Sequence, residues 1–70
     1  MNLPIHERYP YILHFTKFVD MWGAKIEDKL GFCSEADAER WVKGVNANYK
    51  KGTVGYKVLP GYFIEGHINI

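Results

Sequence analysis

The stretch between positions 49 and 57 has the residue types that come nearest to a recognisable chemistry. It combines two aromatic rings with three cations, namely Tyr49, Lys50, Lys51, Tyr56 and Lys57. Single-stranded nucleic acid is often held by rings that stack on its bases beside cations that contact its phosphates. These five residues are therefore one candidate site, and a small nucleic-acid-binding module is one candidate function.

The same stretch departs from the nucleotide-binding motifs that it partly matches. Lys51-Gly52 resembles the start of the RNA-binding strand motif of RRM domains, but Thr53 and Val54 stand where that motif has an aromatic and a small residue. The glycines form no P-loop, since the pattern Gly-x-x-x-x-Gly-Lys-Ser/Thr does not occur. A helix C-terminus with its usual lysines, followed by a strand, accounts for the same residues.

The spacing of the reactive side chains gives no support to catalysis or metal binding. The histidines at positions 6, 14 and 67 contain no local pair at a metal-ligand spacing. Cys33 precedes a predicted helix, where a thiol can be activated, but we interpret it as a small buried residue that joins a strand to the helix. The eight carboxylates form no isolated pair on an apolar background. We therefore expect no enzyme, no catalytic residue, no metal and no cofactor.

Length, charge and cysteine content bound the class of protein. Seventy residues make one domain, 1–70, with an irregular N-terminal arm over residues 1–10. The net charge of +1 is too balanced for a protein held mainly by phosphate neutralisation. One cysteine excludes an internal disulfide and favours a reducing compartment. Because no apolar run approaches the roughly 20 residues of a membrane span, and the start lacks a signal-peptide pattern, we expect a cytoplasmic location and no membrane partner.

Two strands and a helix are predicted in the first fifty residues. Residues 11–20 carry β-branched and aromatic side chains on both faces, which predicts a central strand or one covered on both sides. Residues 21–24 predict a hairpin connection, and residues 25–32 alternate as a strand with one solvated face. A helix is predicted from an N-cap at Ser34 to a left-handed Gly52. Its apolar stripe consists of Ala38, Trp41, Val42, Val45 and Tyr49.

After the helix the apolar pattern returns to a period of two. Residues 53–58 predict a strand, Pro60-Gly61 predicts a turn, and residues 62–70 alternate again. The element order is β-β-α-β-β, or β-β-α-β if the last segment is irregular. This order predicts an α+β fold, in which a small antiparallel β-sheet of three or four strands has one α-helix packed on one face.

Aromatic excess is the main functional lead. A domain of this size with one helix hides only some of its two Trp, five Tyr and four Phe rings. Trp22 at the predicted hairpin tip is hard to bury, and Trp, Tyr and Met are enriched at protein interfaces. We therefore predict a protein-contact site formed by Met21, Trp22, Tyr9, Tyr11 and Phe18, with Phe63 also outside the core. The alternative is that the N-terminal arm folds over the second sheet face and buries several of these rings.

The C-terminal residues Ile68-Asn69-Ile70 suggest a third class of function. An edge strand there would have backbone groups and apolar side chains without a partner, and natural proteins usually protect such edges from pairing with charged residues or proline. An edge without this protection can pair with a second copy or with a partner's strand. A homodimeric structural protein built through this strand is therefore a further alternative.

The general character of the chain is similar to that of small phage proteins that bind and inhibit a host machine, such as anti-CRISPR proteins. The likeness consists of small size, neutral charge, aromatic richness and the lack of a catalytic motif, and it carries over no residue. It implies a small non-enzymatic binding protein that acts by protein–protein contact. This is the leading expectation from the sequence.

Overall fold

Five elements follow one another in the order that the sequence predicts. The computed structural model describes residues 9–66, with the elements β1 (Tyr11–Val19), β2 (Ala24–Phe32), α1 (Glu35–Lys51), β3 (Tyr56–Val58) and β4 (Phe63–Gly66). The strand pairs are antiparallel, and the helix packs on one face of the sheet. The predicted α+β fold class is therefore confirmed.

β1 is the central strand of the sheet, as its two apolar faces predict. It pairs with β2 along its whole length on one side. On the other side it pairs with β3 through residues 17–19 and with β4 through residues 11–14. Neighbouring residues of a strand point to opposite faces. Because the adjacent residues Ile12 and Leu13 are only 2% and 0% exposed, both faces of β1 are covered at this end of the strand.

β3 and β4 lie end to end along the same edge of β1, with a two-residue insertion between them. The Leu59 N–H donates to the Thr16 carbonyl at 2.9 Å, and pairing resumes between Phe63 and His14. The two positions from Thr16 to His14 on β1 therefore correspond to four positions, from Leu59 to Phe63, on the paired segment. The extra residues are those of the predicted turn at 60–61, where a proline is tolerated because it interrupts an edge strand.

α1 begins and ends at the residues whose types predict its caps. The Ser34 hydroxyl oxygen accepts a hydrogen bond from the Asp37 N–H at 3.1 Å. Gly52 has the left-handed φ of 80°, and its N–H donates to carbonyls of the last turn. An N-cap of this type contributes about 1 kcal/mol to stability. Both helix ends are thus specified by local sequence.

The hydrophobic core lies between α1 and the sheet. Three buried helix residues pack against three buried strand residues: Ala38, Val42, Val45, Leu13, Phe15 and Val58. The Trp41 ring extends this core, with its centroid 5.3 Å from that of Phe15 and 6.1 Å from that of Phe32. The predicted apolar stripe of the helix is therefore the face that packs on the sheet.

Asn46 ties the helix to the outer edge of β3. Its Nδ2 donates to the Val58 carbonyl at 3.3 Å, and its Oδ1 accepts from the Val58 N–H at 2.8 Å. Backbone groups of successive residues point to alternate edges of a strand. Because the Leu59 N–H points to β1, the groups of Val58 point away from it. The side-chain amide therefore takes the place of a neighbouring strand at this residue.

The Tyr9 ring covers part of the sheet face opposite the helix. Gly31 lies directly beneath it, and a Cβ at that position would collide with the ring. Gly31 pairs with Ile12 of β1, so the contact lies on the face that α1 does not cover. Tyr9 therefore lies over the second face of the sheet, as the alternative prediction for the N-terminal arm has it, rather than in an exposed contact site.

Some sequence-based interpretations differ from the structure or fall outside residues 9–66. Cys33 is exposed, so its interpretation as a buried residue is wrong; it lies in the bend beyond the last residue of β2. β3 begins at Tyr56 rather than at position 53, because residues 53–55 connect the helix cap to the strand. His6, His67 and the segment Ile68–Ile70 lie outside the described residues, so homodimerisation through that segment stays a prediction.

Replacing Asn46 with alanine is expected to lower the free energy of unfolding by about 1–3 kcal/mol, because two part-buried groups of Val58 lose their hydrogen-bond partner. Asn48→Ala is the matched control, since Asn48 is exposed on the same helix and undergoes the same change of residue type. Denaturant titration of both variants measures the difference. Equal stabilities would show that the Asn46 amide contributes nothing at the strand edge.

Gly31→Ala is expected to destabilise the fold by about 1–3 kcal/mol, since the added methyl group displaces the Tyr9 ring. Gly44→Ala on α1 is the control: no atom lies near its added methyl group, and it should stabilise the helix by up to about 1 kcal/mol. Denaturant unfolding is repeated in a Tyr9→Ala background, where Gly31→Ala should be milder. The same loss in both backgrounds would contradict the proposed contact.

Candidate functional site

The turn between β1 and β2 forms the tip of the hairpin. It consists of residues 20–23, and the Gly23 N–H donates to the Asp20 carbonyl at 3.2 Å. Asp at the first position and Gly at the fourth are the residue types that a type I turn prefers. Gly23 has a φ of 59°, which a glycine adopts without steric strain. The sequence thus sets the turn at the predicted place.

Asp20 anchors this turn to the rest of the protein. Its Oδ1 accepts a hydrogen bond from the Tyr49 hydroxyl on α1 at 2.7 Å. Its N–H donates to the carbonyl of Gly55, just before β3, at 3.1 Å. The base of the tip is therefore held both to the end of the helix and to the segment that leads into the edge strand.

Met21 and Trp22 occupy the two central positions of the turn and project into solvent. Met21 is 88% exposed and Trp22 is 69% exposed, the two highest values among the large apolar residues that the structure describes. Central turn positions accept most residue types, so the turn itself does not require apolar side chains there. Large exposed Trp and Met side chains are typical of protein interfaces. The sequence-based expectation of exposure at this tip is met.

The other residues of the predicted protein-contact site do not all lie near the tip. Phe18 is half-buried near the tip end of β1, on the face opposite the helix. Tyr11 is half-buried at the other end of β1, on the helix side, roughly 25 Å away at the rise of a strand. Tyr9 lies at that far end as well, over Gly31. The structure therefore groups Met21 and Trp22 with Phe18, and separates them from Tyr9 and Tyr11.

The rings of the predicted nucleic-acid site make contacts within the protein. The Tyr56 ring packs against the core, with the Lys17 ammonium 5.3 Å from its centroid. The Lys57 ammonium lies 5.5 Å from the Tyr49 ring and 5.9 Å from the Phe18 ring. Lys50 and Lys51 are exposed at the end of α1. The geometry thus brings these residues to one end of the molecule, but both rings already have neighbours.

A second cluster lies where β4 meets β1, on the sheet face opposite α1, which we call the open face. The rings of His14 and Phe63 stack at 4.6 Å, and His14 Nε2 is 2.9 Å from an oxygen of Glu65. His14 and Phe63 border a shallow groove of about 350 Å³ beside the turn at 60–61. Sequence spacing gives no signal for the His14–Glu65 contact, since its partners are 51 residues apart. The cluster holds β4 to the central strand.

Comparisons of the chain with protein-family models, with curated proteins and with solved structures give no match. The functional argument therefore depends on the geometry of this chain alone. Within residues 9–66, no group of three His, Cys, Asp or Glu side chains is placed to hold a metal ion. In that same part of the chain, no helix has the length and the apolar character needed to cross a membrane.

The stability of the protein is expected to fall at alkaline pH through Tyr49. The hydrogen bond to Asp20, aided by burial and by the negative charge of the carboxylate, raises the pKa of the phenol above its ordinary value of 10.0. The unfolded chain then releases this proton at a lower pH than the folded protein does. The contribution is therefore fully present below pH 10 and is lost as the pH rises towards the folded-state pKa.

Tyr49→Phe is the variant that tests this contribution, because phenylalanine keeps the ring and removes the ionisable hydroxyl. Free energies of unfolding are measured for both proteins across the alkaline range. The stability of the wild-type protein relative to Tyr49→Phe should be constant below pH 10 and should decline above it. A difference that does not change with pH would contradict the effect of the Tyr49–Asp20 hydrogen bond on the phenol pKa.

Proposed function

We propose that this chain is a small non-enzymatic binding protein that acts by contact with another protein through its hairpin tip. The observation that carries the proposal is the exposure of Met21 and Trp22, at 88% and 69%, on adjacent positions of one projecting turn. Full burial of a side chain of this size against a partner contributes about 1.5–3 kcal/mol. The tip thus offers a concentrated source of binding energy.

The anchoring of the tip adds to this argument. Binding carries an entropic cost for every loop that becomes ordered in the complex. Asp20 already holds the base of the turn through hydrogen bonds to Tyr49 and Gly55. A partner therefore meets a turn whose position is largely set before contact. Phe18, half-buried on the same end of the hairpin, widens the apolar surface beside it.

Inhibition of a host machine, as by phage proteins of the anti-CRISPR kind, is the specific form of this function that we propose. The support is the combination of 70 residues, a net charge of +1 and an apolar tip. Such a chain can occlude a site on a larger protein by contact alone, without a catalytic residue. A cytoplasmic location is part of the proposal, because a single cysteine provides no internal disulfide.

Trp22→Ala is expected to weaken partner binding by about 2 kcal/mol or more, the loss that defines an interface hot spot. Phe63→Ala is the control for loss of an exposed ring, since Phe63 is 60% exposed on the open face rather than on the tip. Circular dichroism establishes that this variant stays folded without the stack on His14. The tagged wild-type protein first captures its partner from lysate. Calorimetry with the purified partner then compares the three proteins.

Capture at moderate and high salt, with and without nuclease, separates the two main classes of partner. Phosphate binding weakens steeply as salt rises, whereas an apolar protein contact does not. Capture that survives salt and nuclease but is lost with Trp22→Ala supports the proposal. Capture that disappears with salt or nuclease would instead favour the site at Tyr49, Lys50, Lys51, Tyr56 and Lys57, and unchanged affinity of Trp22→Ala would exclude the tip.

A further inference from the structure

The near-neutral charge of the chain conceals a strong separation of charge along it. Between positions 40 and 64 the charged residues are all cations: Arg40, Lys43, Lys50, Lys51 and Lys57. The eight acidic residues all lie before this stretch or at Glu65. The stretch spans most of α1 together with β3. From Arg40 to its C-terminal end, α1 is therefore basic, although the whole chain carries only +1.

An apolar groove lies beside this basic part of α1, between the helix and the edge formed by β3 and the turn after it. Its volume is about 530 Å³, which is within the usual range for sites that bind small ligands or side chains. Val42 of the helix and Val58, Leu59 and Tyr62 of the edge segment supply its apolar walls. The groove is distinct from the hairpin tip and shares no residue with it.

Lys43 and Lys50 border this groove from the helix. They are seven residues apart, which corresponds to about 10 Å along the helix axis. Both are exposed, and among residues 9–66 neither forms an ion pair, whereas Arg40 is paired with Asp37. The groove thus combines apolar walls with two cations that have no carboxylate partner in the part of the chain that the structure describes.

At Val58 the edge beside this groove is closed to strand addition. The outward backbone groups of Val58 are already bonded to Asn46, so a peptide cannot pair with the edge there. Apolar side chains fit the walls, and carboxylates complement the two lysines. An extended peptide rises about 3.3 Å per residue, so two acidic residues separated by one to three others match the lysine spacing.

We propose that this groove binds a short acidic segment of a partner protein, with apolar side chains between two carboxylates. The carboxylates contact Lys43 and Lys50, and the apolar side chains lie against Val58, Leu59 and Tyr62. A nucleic acid fits less well, because only two cations line the groove and its walls are mainly aliphatic. The proposal is independent of the function assigned to the hairpin tip.

Fluorescence polarisation of the full chain with short, end-blocked, dye-labelled peptides tests this site. The probes carry two glutamates separated by one to three leucines. We expect saturable binding to the wild-type protein, and a loss of about tenfold or more in the double variant Lys43→Glu/Lys50→Glu. Leu59→Ser should weaken binding by about fivefold through the apolar wall. Circular dichroism establishes that each variant is folded.

Lys25→Glu/Lys29→Glu is the matched control, because it makes the same change of net charge at two exposed lysines on β2. It should bind the peptides as the wild-type protein does. Three results would each overturn the proposal: no binding up to roughly millimolar peptide, equal losses in the two double variants, or equal binding of peptides with serine in place of leucine. Lys43- and Lys50-dependent binding of oligodeoxythymidine in preference to the peptides would overturn it in favour of nucleic acid.

Discussion

The pairing of β1 on both of its edges is the constraint on which the rest of the structure depends. This strand is hydrogen-bonded to β2 on one side and to β3 and β4 on the other. Its inner side chains, Leu13 and Phe15, form the floor on which α1 packs. Ile12 is buried on the opposite face, where Tyr9 covers the neighbouring Gly31. Every other element is thus placed by its contact with this strand.

The edges of the sheet explain where contact surfaces can arise. On β3 the Asn46 amide occupies the outward backbone groups of Val58. On β2 the Asp28 carboxylate accepts a hydrogen bond from the Lys29 N–H at 2.8 Å and lies 3.4 Å from the Lys17 ammonium. Such side chains protect an edge against unwanted strand pairing. At these positions the two edges of the sheet present side chains rather than unpaired backbone groups.

Features determined by neighbouring residues could be predicted from the sequence. The helix caps at Ser34 and Gly52, the turn around Gly23 and the central position of β1 each follow from local residue types or from alternation. The exposure of Trp22 also follows, because a hairpin tip has few neighbours.

Features determined by distant partners could not be predicted in this way. The Tyr49–Asp20 and His14–Glu65 contacts join residues 29 and 51 positions apart, and no spacing pattern in the sequence predicts them. The exposed position of Cys33 depends on the direction of the chain between β2 and α1, which periodicity does not describe. The five predicted contact residues have in common large apolar or aromatic side chains, but the structure divides them between the two ends of β1.

The late arrival of β4 has a consequence for how the chain folds during its synthesis. The hairpin of β1 and β2 can form early, but one edge of β1 is completed only when residues about fifty positions later have emerged. At ribosomal speeds of roughly 5–20 residues per second, the 51 positions between His14 and Glu65 take roughly 3–10 seconds. During that interval α1 and β3 are synthesised, but the part of the β1 edge that pairs with β4 stays open. β4 therefore sets how long this part of the β1 edge stays unpaired in the nascent chain and open to aggregation or to capture by a chaperone.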